Sequence, residues 1–321
     1  MSRIAILGPT NLLGKELRGL LGGRRERFDA VALLTSEDEE VGTVTEVAGR
    51  PALVARASVE ELAEVDLVFA CGEPEGDLAI LAERREGATG ILLSPRASAA
   101  DGRPVIAGID PSDAAAGEIL VSPHPAAIAL AYQLAPLAPL GVTGAAATVV
   151  QPVSMFGEQG LDDLLDQTRD LLAMTGERRP SVFERQLAFN LYPAPEGSGG
   201  LAELVRRTTG VESPIAVQAM QGAVFHGFAS SLFVTFAEDP GLEAVREALA
   251  GQRHVTLFEE EDGVAELPGL IDSAARDDLL VGRVHADPGY PGGYWLWAVL
   301  DNLTRGGALN AMEVAEAVLG R

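Results

Sequence analysis

The sequence predicts an α/β protein built from an N-terminal Rossmann-like, doubly wound parallel sheet and a C-terminal α+β domain. Three observations carry that prediction. Through the first third of the 321 residues, short apolar runs alternate with helical patterns, the order a helix-wound parallel sheet requires. From Val142 the apolar runs lengthen and spread apart with amphipathic helices between them, as in a mostly antiparallel sheet with helices on one face. A last amphipathic segment, Arg305 to Leu319, has the length to return to the first domain. The expected division is residues 1–124 with 303–321, and residues 125–302.

The elements follow in order. Arg3-Ile-Ala-Ile-Leu reads as a buried strand and Leu12 to Leu21 as the helix after it. Val31-Ala-Leu-Leu and Asp66-Leu-Val-Phe-Ala are strands, the latter followed by a helix over Gly76 to Arg85. Gly90-Ile-Leu-Leu, Val105-Ile-Ala and Glu118 to Val121 complete the first sheet. In the second domain, Ala145 to Val150, Ile215 to Gln221, Ser230 to Phe236 and Tyr294 to Asp301 read as strands, and Leu161 to Met174 and Leu242 to Leu249 as helices. The loop that starts Pro193-Ala-Pro-Glu-Gly-Ser is the most breaker-dense segment and is expected to be mobile.

Composition narrows the function. A net charge of −23 disfavours nucleic acid and anionic membranes, whose phosphates the chain would repel. No apolar run approaches the roughly 18 residues of a membrane span, and the chain enters its first strand without a signal-peptide pattern. Its single cysteine, Cys71, excludes an intrachain disulfide and suits a reducing cytoplasm. With Lys15 the only lysine, most lysine chemistry is excluded. No metal site is expected.

Two turns stand out. Gly8-Pro-Thr-Asn-Leu-Leu-Gly14 joins the first strand to the first helix, where Gly8 permits a sharp turn, Gly14 permits close packing, and helix-start N–H groups attract an anion. Asn11 stands where a phosphate fingerprint has its middle glycine and is expected to crowd a pyrophosphate. A plain strand-to-helix turn is the alternative. The second turn, Ser122-Pro-His-Pro, occupies the strand-to-helix position where α/β enzymes place nucleophiles, yet it offers Pro125, which has no nucleophilic group.

These turns and the C-terminal segments together resemble the aspartate-semialdehyde dehydrogenase family over essentially the whole chain. Gly8-Pro-Thr-Asn-Leu-Leu-Gly is similar to its GATGxVG, and Gln151-Pro-Val-Ser-Met-Phe-Gly-Glu-Gln-Gly to its QxVSGAGxxG. Ala188-Phe-Asn-Leu-Tyr-Pro resembles AFNxxP, and Leu296-Trp-Ala-Val-Leu-Asp-Asn-Leu-Thr-Arg-Gly-Gly-Ala-Leu-Asn-Ala resembles LWxxxDNLRKGAALNA. The resemblance implies a homodimer built by the second domain, a nicotinamide cofactor on the first, and reduction of an acyl phosphate, or its reverse, through a cysteine thioester with a histidine acid/base. It places cofactor contacts at Gly8, Thr10, Asn11, Leu12, Leu13, Gly14, Ser36, Glu37, Cys71, Gly72, Asn302 and Gly306. A catalytic role for Cys71 is the minor reading beside that of a small core residue.

Position by position, the reactive groups are missing. The family's cysteine falls on Pro125, its histidine on Phe228, its substrate-carboxylate arginine on Gln221 and its phosphate-binding arginine on Ser98, with Arg96 nearby. Gln151 is retained. His124, beside the cysteine position, and His226, two residues before Phe228 and thus on the same face of a strand, are the substitutes on offer. The pattern is that of the family's Usg-type branch and predicts a catalytically inactive homodimer, a pseudoenzyme that binds NAD or no cofactor. Acidic Glu37-Asp-Glu-Glu40, where NADP users carry Arg and Ser, favours NAD over NADP. The alternative is an active NAD(P)-dependent semialdehyde oxidoreductase of amino-acid biosynthesis with altered catalytic residues, its substrate unknown.

Overall fold

The computed structural model describes residues 2–24, 28–109, 115–174, 182–194, 198–258, 260–261, 264–265 and 267–320. The chain forms two compact units, Met1–His124 with Leu303–Arg321, and Pro125–Asn302.

The first unit is built from β1 (Ser2–Leu7), α1 (Leu12–Gly22), β2 (Phe28–Thr35), β3 (Val44–Val47), β4 (Arg50–Arg56), α2 (Val59–Leu62), β5 (Leu67–Ala70), α3 (Pro74–Ala82), β6 (Thr89–Leu92), β7 (Arg103–Pro104) and β8 (Ile119–Val121). Its eight-stranded sheet has the order β3-β4-β2-β1-β5-β6-β8-β7. Every pairing is parallel except β3 with β4. The chain winds outward on one side through β2 and on the other through β5. The C-terminal ends of β1 and β5 therefore flank the switch in direction where such sheets bind ligands.

Alternation along β1 creates both halves of the core. Ile4 and Ile6 face Leu17 and Leu21 of α1 and the residues Ala311 and Met312 of the C-terminal helix, Leu309–Val318. Ala5 and Leu7 face Leu62, Val65 and Leu81 on the other side. Each fully buried Leu or Ile contributes about 1.5–3 kcal/mol of apolar transfer, so both faces are strongly specified.

Two expectations need correction. The strand expected over Val105-Ile-Ala ends at Pro104; Val105 and Ile106 are buried core, but the chain turns at Ile106–Ile109, where the Ile109 N–H bonds the Ile106 carbonyl. The final helix also starts later than expected, because Thr304–Ala308 is a π-helical turn in which Gly306 and Gly307 weaken α-helix formation. Arg305 inside that turn is 1% exposed and is held by both carboxylate oxygens of Glu313, at 2.9 and 3.2 Å.

The second unit comprises α4 (Pro125–Leu134), β9 (Val142–Gln151), α5 (Gly157–Ala173), β10 (Leu191–Pro193), α6 (Leu201–Thr209), β11 (Ile215–Gly222), β12 (Phe228–Phe236), α7 (Leu242–Ala250), β13 (Val255–Leu257), the short pair β14 (Glu260–Glu261) and β15 (Val264–Ala265), α8 (Leu270–Ser273), β16 (Leu279–Ala286) and β17 (Gly293–Leu300). Its main sheet runs β10-β11-β9-β12-β17-β16-β13 and is antiparallel apart from β11 with β9 and β13 with β16. All ten residues of α4 are buried, and the helix packs on β12, β17 and α6. Along β12, Leu232 and Val234 are fully buried while Ser231, Phe233 and Thr235 on the other face are half-buried. Residues 195–197 of the breaker-rich loop lie outside the described residues; Pro193 belongs to β10, and the Ser198 hydroxyl bonds the Val217 carbonyl at 2.5 Å.

Candidate functional site

Most of the residues expected to contact a cofactor lie where β1, β2 and β5 of the first unit end. Gly8 adopts φ +75°, a conformation nearly closed to other residues, and starts the turn into α1. Gly14 is buried against that turn so closely that a Cβ would fall 2.3 Å from the Gly8 carbonyl oxygen and 2.7 Å from the Pro9 Cα. Leu12 and Leu13 are the first two residues of α1 and are half-buried.

Asn11 does not crowd the space outside the turn, as the sequence suggested. It is the N-cap of α1: its Oδ1 accepts the Gly14 N–H at 2.9 Å, and its Nδ2 donates to the Cys71 carbonyl at 2.7 Å. The side chain is turned inward and ties the β1 turn to the end of β5, because a capped helix start is more stable by about 1 kcal/mol than an uncapped one.

The edge after β5 carries Cys71 and Gly72. Cys71 is a buried core residue, and burial pushes its thiol well above the ordinary range, which disfavours the reactive thiolate. The Gly72 N–H donates to Asp77 Oδ2 at 2.8 Å. Asp77, near the start of α3, is 5% exposed, and loss of water raises its carboxyl to about 7 despite that hydrogen bond. Sequence reasoning missed Asp77; an acid in the first turn of a helix reads as an ordinary dipole partner.

Beyond β2, the four acids differ sharply. Ser36, Glu37, Asp38 and Glu39 are exposed, Glu37 accepting from the Ser36 hydroxyl at 3.5 Å and Asp38 pairing with Arg56. Glu40 is half-buried and folds back: one oxygen takes the Thr10 hydroxyl and the other the Thr35 hydroxyl, the latter at 2.7 Å. Gly306 lies in the π-helical turn of the same unit.

The catalytic positions read differently. Pro125 is the first residue of α4, where its missing N–H costs nothing, and it is buried. His124 is half-buried, and loss of water lowers its pKa to about 4, leaving a neutral ring at pH 7. Phe228 is 1% exposed at the start of β12, paired with Leu300. His226 does not share a strand face with Phe228: it is exposed in the turn before β12, and Gly227 between them, at φ +89°, breaks the alternation on which that expectation rested.

Several polar groups of this unit pair with one another. Gln151 donates to Gln221 Oε1 at 3.0 Å, and Gln221, wholly buried, donates to the carbonyls of Gln151 and Gly222. Ser230 takes a hydrogen bond from Gln133 of α4 at 2.9 Å. Asn302 is buried in the second unit, exchanging hydrogen bonds with Ser154 and accepting the Gly227 N–H at 2.8 Å. In the first unit Ser98 is tied to Asp101 by its N–H and its hydroxyl, and Arg96 pairs with Glu73 on the surface. Asn310 was also missed within its motif; it joins Ser122 at the end of β8 to the backbone of Val105 and Ala107. Among the described residues no group of three or more His, Cys, Asp or Glu side chains is placed to hold a metal, and no helix is long and apolar enough to cross a membrane.

A switch-point glycine turn on a parallel sheet in one unit, and a mostly antiparallel sheet in the other, define a two-domain, dehydrogenase-type α/β protein. The profile of the semialdehyde dehydrogenase dimerisation domain matches residues 134–305. A USG-1 protein homolog of Azotobacter vinelandii is 30% identical over 98% of this chain and 97% of its own. An aspartate-semialdehyde dehydrogenase of Prochlorococcus marinus is 27% identical over 99% and 96%. Among solved structures, a probable aspartate-semialdehyde dehydrogenase from Pseudomonas aeruginosa superposes with a TM-score of 0.88 at 28% identity, covering 99% of this chain and 98% of that one. A Candida albicans aspartate semialdehyde dehydrogenase solved with NADP shares the fold at 15% identity and a TM-score of 0.73, over 99% and 98%. The chain belongs to the aspartate-semialdehyde dehydrogenase family, in keeping with its Usg-type branch.

Proposed function

We propose that this chain is a cytoplasmic, homodimeric family member that keeps a dinucleotide site and no longer performs the family's acyl-transfer oxidation. The observation that carries the reading is Pro125, a buried helix-opening residue where a thioester needs a thiolate. Its neighbours point the same way. Phe228 fills the acid/base position with a packed ring, and Gln221 has turned the carboxylate-binding position into a closed amide pair with Gln151.

A dinucleotide fits the first unit. Gly8 and Gly14 give the turn its shape, Asn11 leaves the outside of the turn clear, and the acidic run from Glu37 to Glu40 sets at least one carboxylate where a 2′-phosphate would be repelled. At about 5 Å and an effective dielectric near 20, one carboxylate opposes a phosphate dianion by several kcal/mol before screening. The residues therefore favour NAD over NADP. When bound, NAD would supply a hydride acceptor. Gly8, Thr10 and the N–H groups at Leu12 and Leu13 would orient it, while the chain offers no thiol to present a substrate to it.

The test is phosphate-dependent oxidation of aspartate semialdehyde by the purified protein, followed by NADH and NADPH absorbance. No turnover is expected. A rate within a hundredfold of an ordinary enzyme's ~10 s⁻¹ overturns the reading. One observation favours an altered enzyme as a second reading: His124 stands beside Pro125, and its ring, neutral at pH 7, can hydrogen-bond a carbonyl oxygen, although a pKa of about 4 makes it a weak base. In that case a carbonyl substrate is turned over and His124→Ala abolishes the activity.

The homodimer would form through the half-buried sheet face of the second unit. There Phe233 stands opposite Ala146 and Trp295, its ring 4.9 Å from the Trp295 ring. Light scattering should give twice the 33.5 kDa chain mass, and Phe233→Glu should give the monomer. A wild-type mass of 33.5 kDa at micromolar concentration overturns this part.

A further inference from the structure

The four acids after β2 act in sequence as one run of negative charge, but only one of them is built into the turn. We propose that Glu40, held by the Thr10 and Thr35 hydroxyls, is the residue that discriminates between dinucleotides with a free and a phosphorylated ribose 2′ position. The inference rests on the dinucleotide reading above and goes beyond it by naming one acid and its mechanism.

The geometry separates Glu40 from its neighbours. Thr10 belongs to the glycine turn and Thr35 is the last residue of β2, so a carboxylate that bonds both hydroxyls bridges the ends of β1 and β2. In a doubly wound sheet that is where the adenosine ribose lies, between the glycine turn and the end of the second strand. Thr35 is 1% exposed, and its hydroxyl also accepts the Glu37 N–H at 3.1 Å, which fixes the rotamer from which it donates to Glu40. The 3₁₀ turn Asp38–Glu40 closes the clamp, with the Glu40 N–H bonding the Glu37 carbonyl. Glu37 and Glu39 are exposed and Asp38 pairs with Arg56 at the surface, where their charges are screened within about 8–10 Å.

Each oxygen of Glu40 accepts one threonine hydroxyl and keeps a lone pair. A ribose 2′-OH can donate to that lone pair without displacing either threonine. A 2′-phosphate would bring three acceptor oxygens and about two negative charges to a carboxylate that cannot swing away without breaking both hydroxyl contacts. Preorganisation makes the discrimination strong: the acid that excludes the phosphate has already lost its rotamer freedom.

Isothermal titration of NAD and NADP into wild type, Glu40→Gln, Glu40→Ala and Glu37→Gln tests this without any catalytic readout. Circular dichroism and melting curves would confirm that each variant is folded. Wild type should bind NAD at least tenfold more tightly than NADP. Glu40→Gln, which keeps the shape and removes the charge, should reduce that ratio about tenfold. Glu40→Ala should do the same should the amide disturb the threonines, and Glu37→Gln should leave the ratio within twofold. An unchanged ratio in both Glu40 variants, or an equal shift in Glu37→Gln, overturns the role of Glu40 while leaving dinucleotide binding in place. Absence of heat with both nucleotides for all four proteins overturns the dinucleotide reading and the role of Glu40 with it.

Discussion

The glycine turn of the first unit and the catalytic positions of the second have been altered in opposite ways. At the turn, one glycine of the fingerprint has become Asn11, yet the replacement caps the helix and leaves the backbone path intact, because Gly8 and Gly14 remain. At the positions the family resemblance makes catalytic, Pro125, Phe228 and Gln221 carry groups that pack or pair internally. A binding turn works largely through main-chain atoms and tolerates side-chain exchange. A nucleophile, an acid/base and two cationic anchors are side chains and nothing else, so on the reading proposed above their exchange removes the family's reaction while leaving the fold.

The strongest challenge to this contrast is Gly14→Ala. Its Cβ would meet backbone atoms of Gly8 and Pro9 that cannot give way, and a loss of about 4 kcal/mol is expected in urea unfolding. Gly19→Ala in the same helix meets nothing within 4 Å and should stabilise by about 0.5–1 kcal/mol. Equal effects at the two glycines would show that the turn is not under geometric constraint.

Asp77 sharpens the contrast through pH. Its carboxyl is raised from 3.8 to about 7, chiefly by burial, so the folded chain holds the proton more tightly than the unfolded chain. The stability this contributes is complete below pH 4 and is lost as pH rises through about 7. Asp77→Asn can still accept the Gly72 N–H. It should stabilise by about 2 kcal/mol at pH 8, roughly half of what the shift alone implies because the amide must also be desolvated, and by nothing at pH 4. A variant no more stable than wild type at pH 8 would mean that Asp77 is solvated.

The smallest effect is expected at Gln221, where the family resemblance places a substrate-binding arginine. Gln221→Leu removes the acceptor of the Gln151 amide and should cost about 1–2 kcal/mol, read by the same unfolding curves. No cost at all would mean the amide pair is incidental and the position open to a ligand.

The sequence by itself determined the fold class and the family, and with them which residues stand at the positions the resemblance makes catalytic. Apolar periodicity records which faces are buried, and a motif such as the one ending Leu-Asn-Ala fixes a family before any contact is known. That Pro125 cannot form a thioester is also a property of the residue alone. Direction and pairing were decided only by the tertiary structure. Spacing placed His226 beside Phe228, but Gly227 at positive φ turned it out to solvent; Asn11 looked like an obstruction until its partners, Gly14 and the distant Cys71, showed it facing inward. Glu40 is indistinguishable from Glu37 in a run of acids, and Asp77 from any acid at a helix start. What separates them is a hydroxyl 30 residues away for one and enclosure by the sheet edge for the other. Periodicity is a local property of the chain, whereas hydrogen-bond partners and desolvation belong to atoms that only folding brings together.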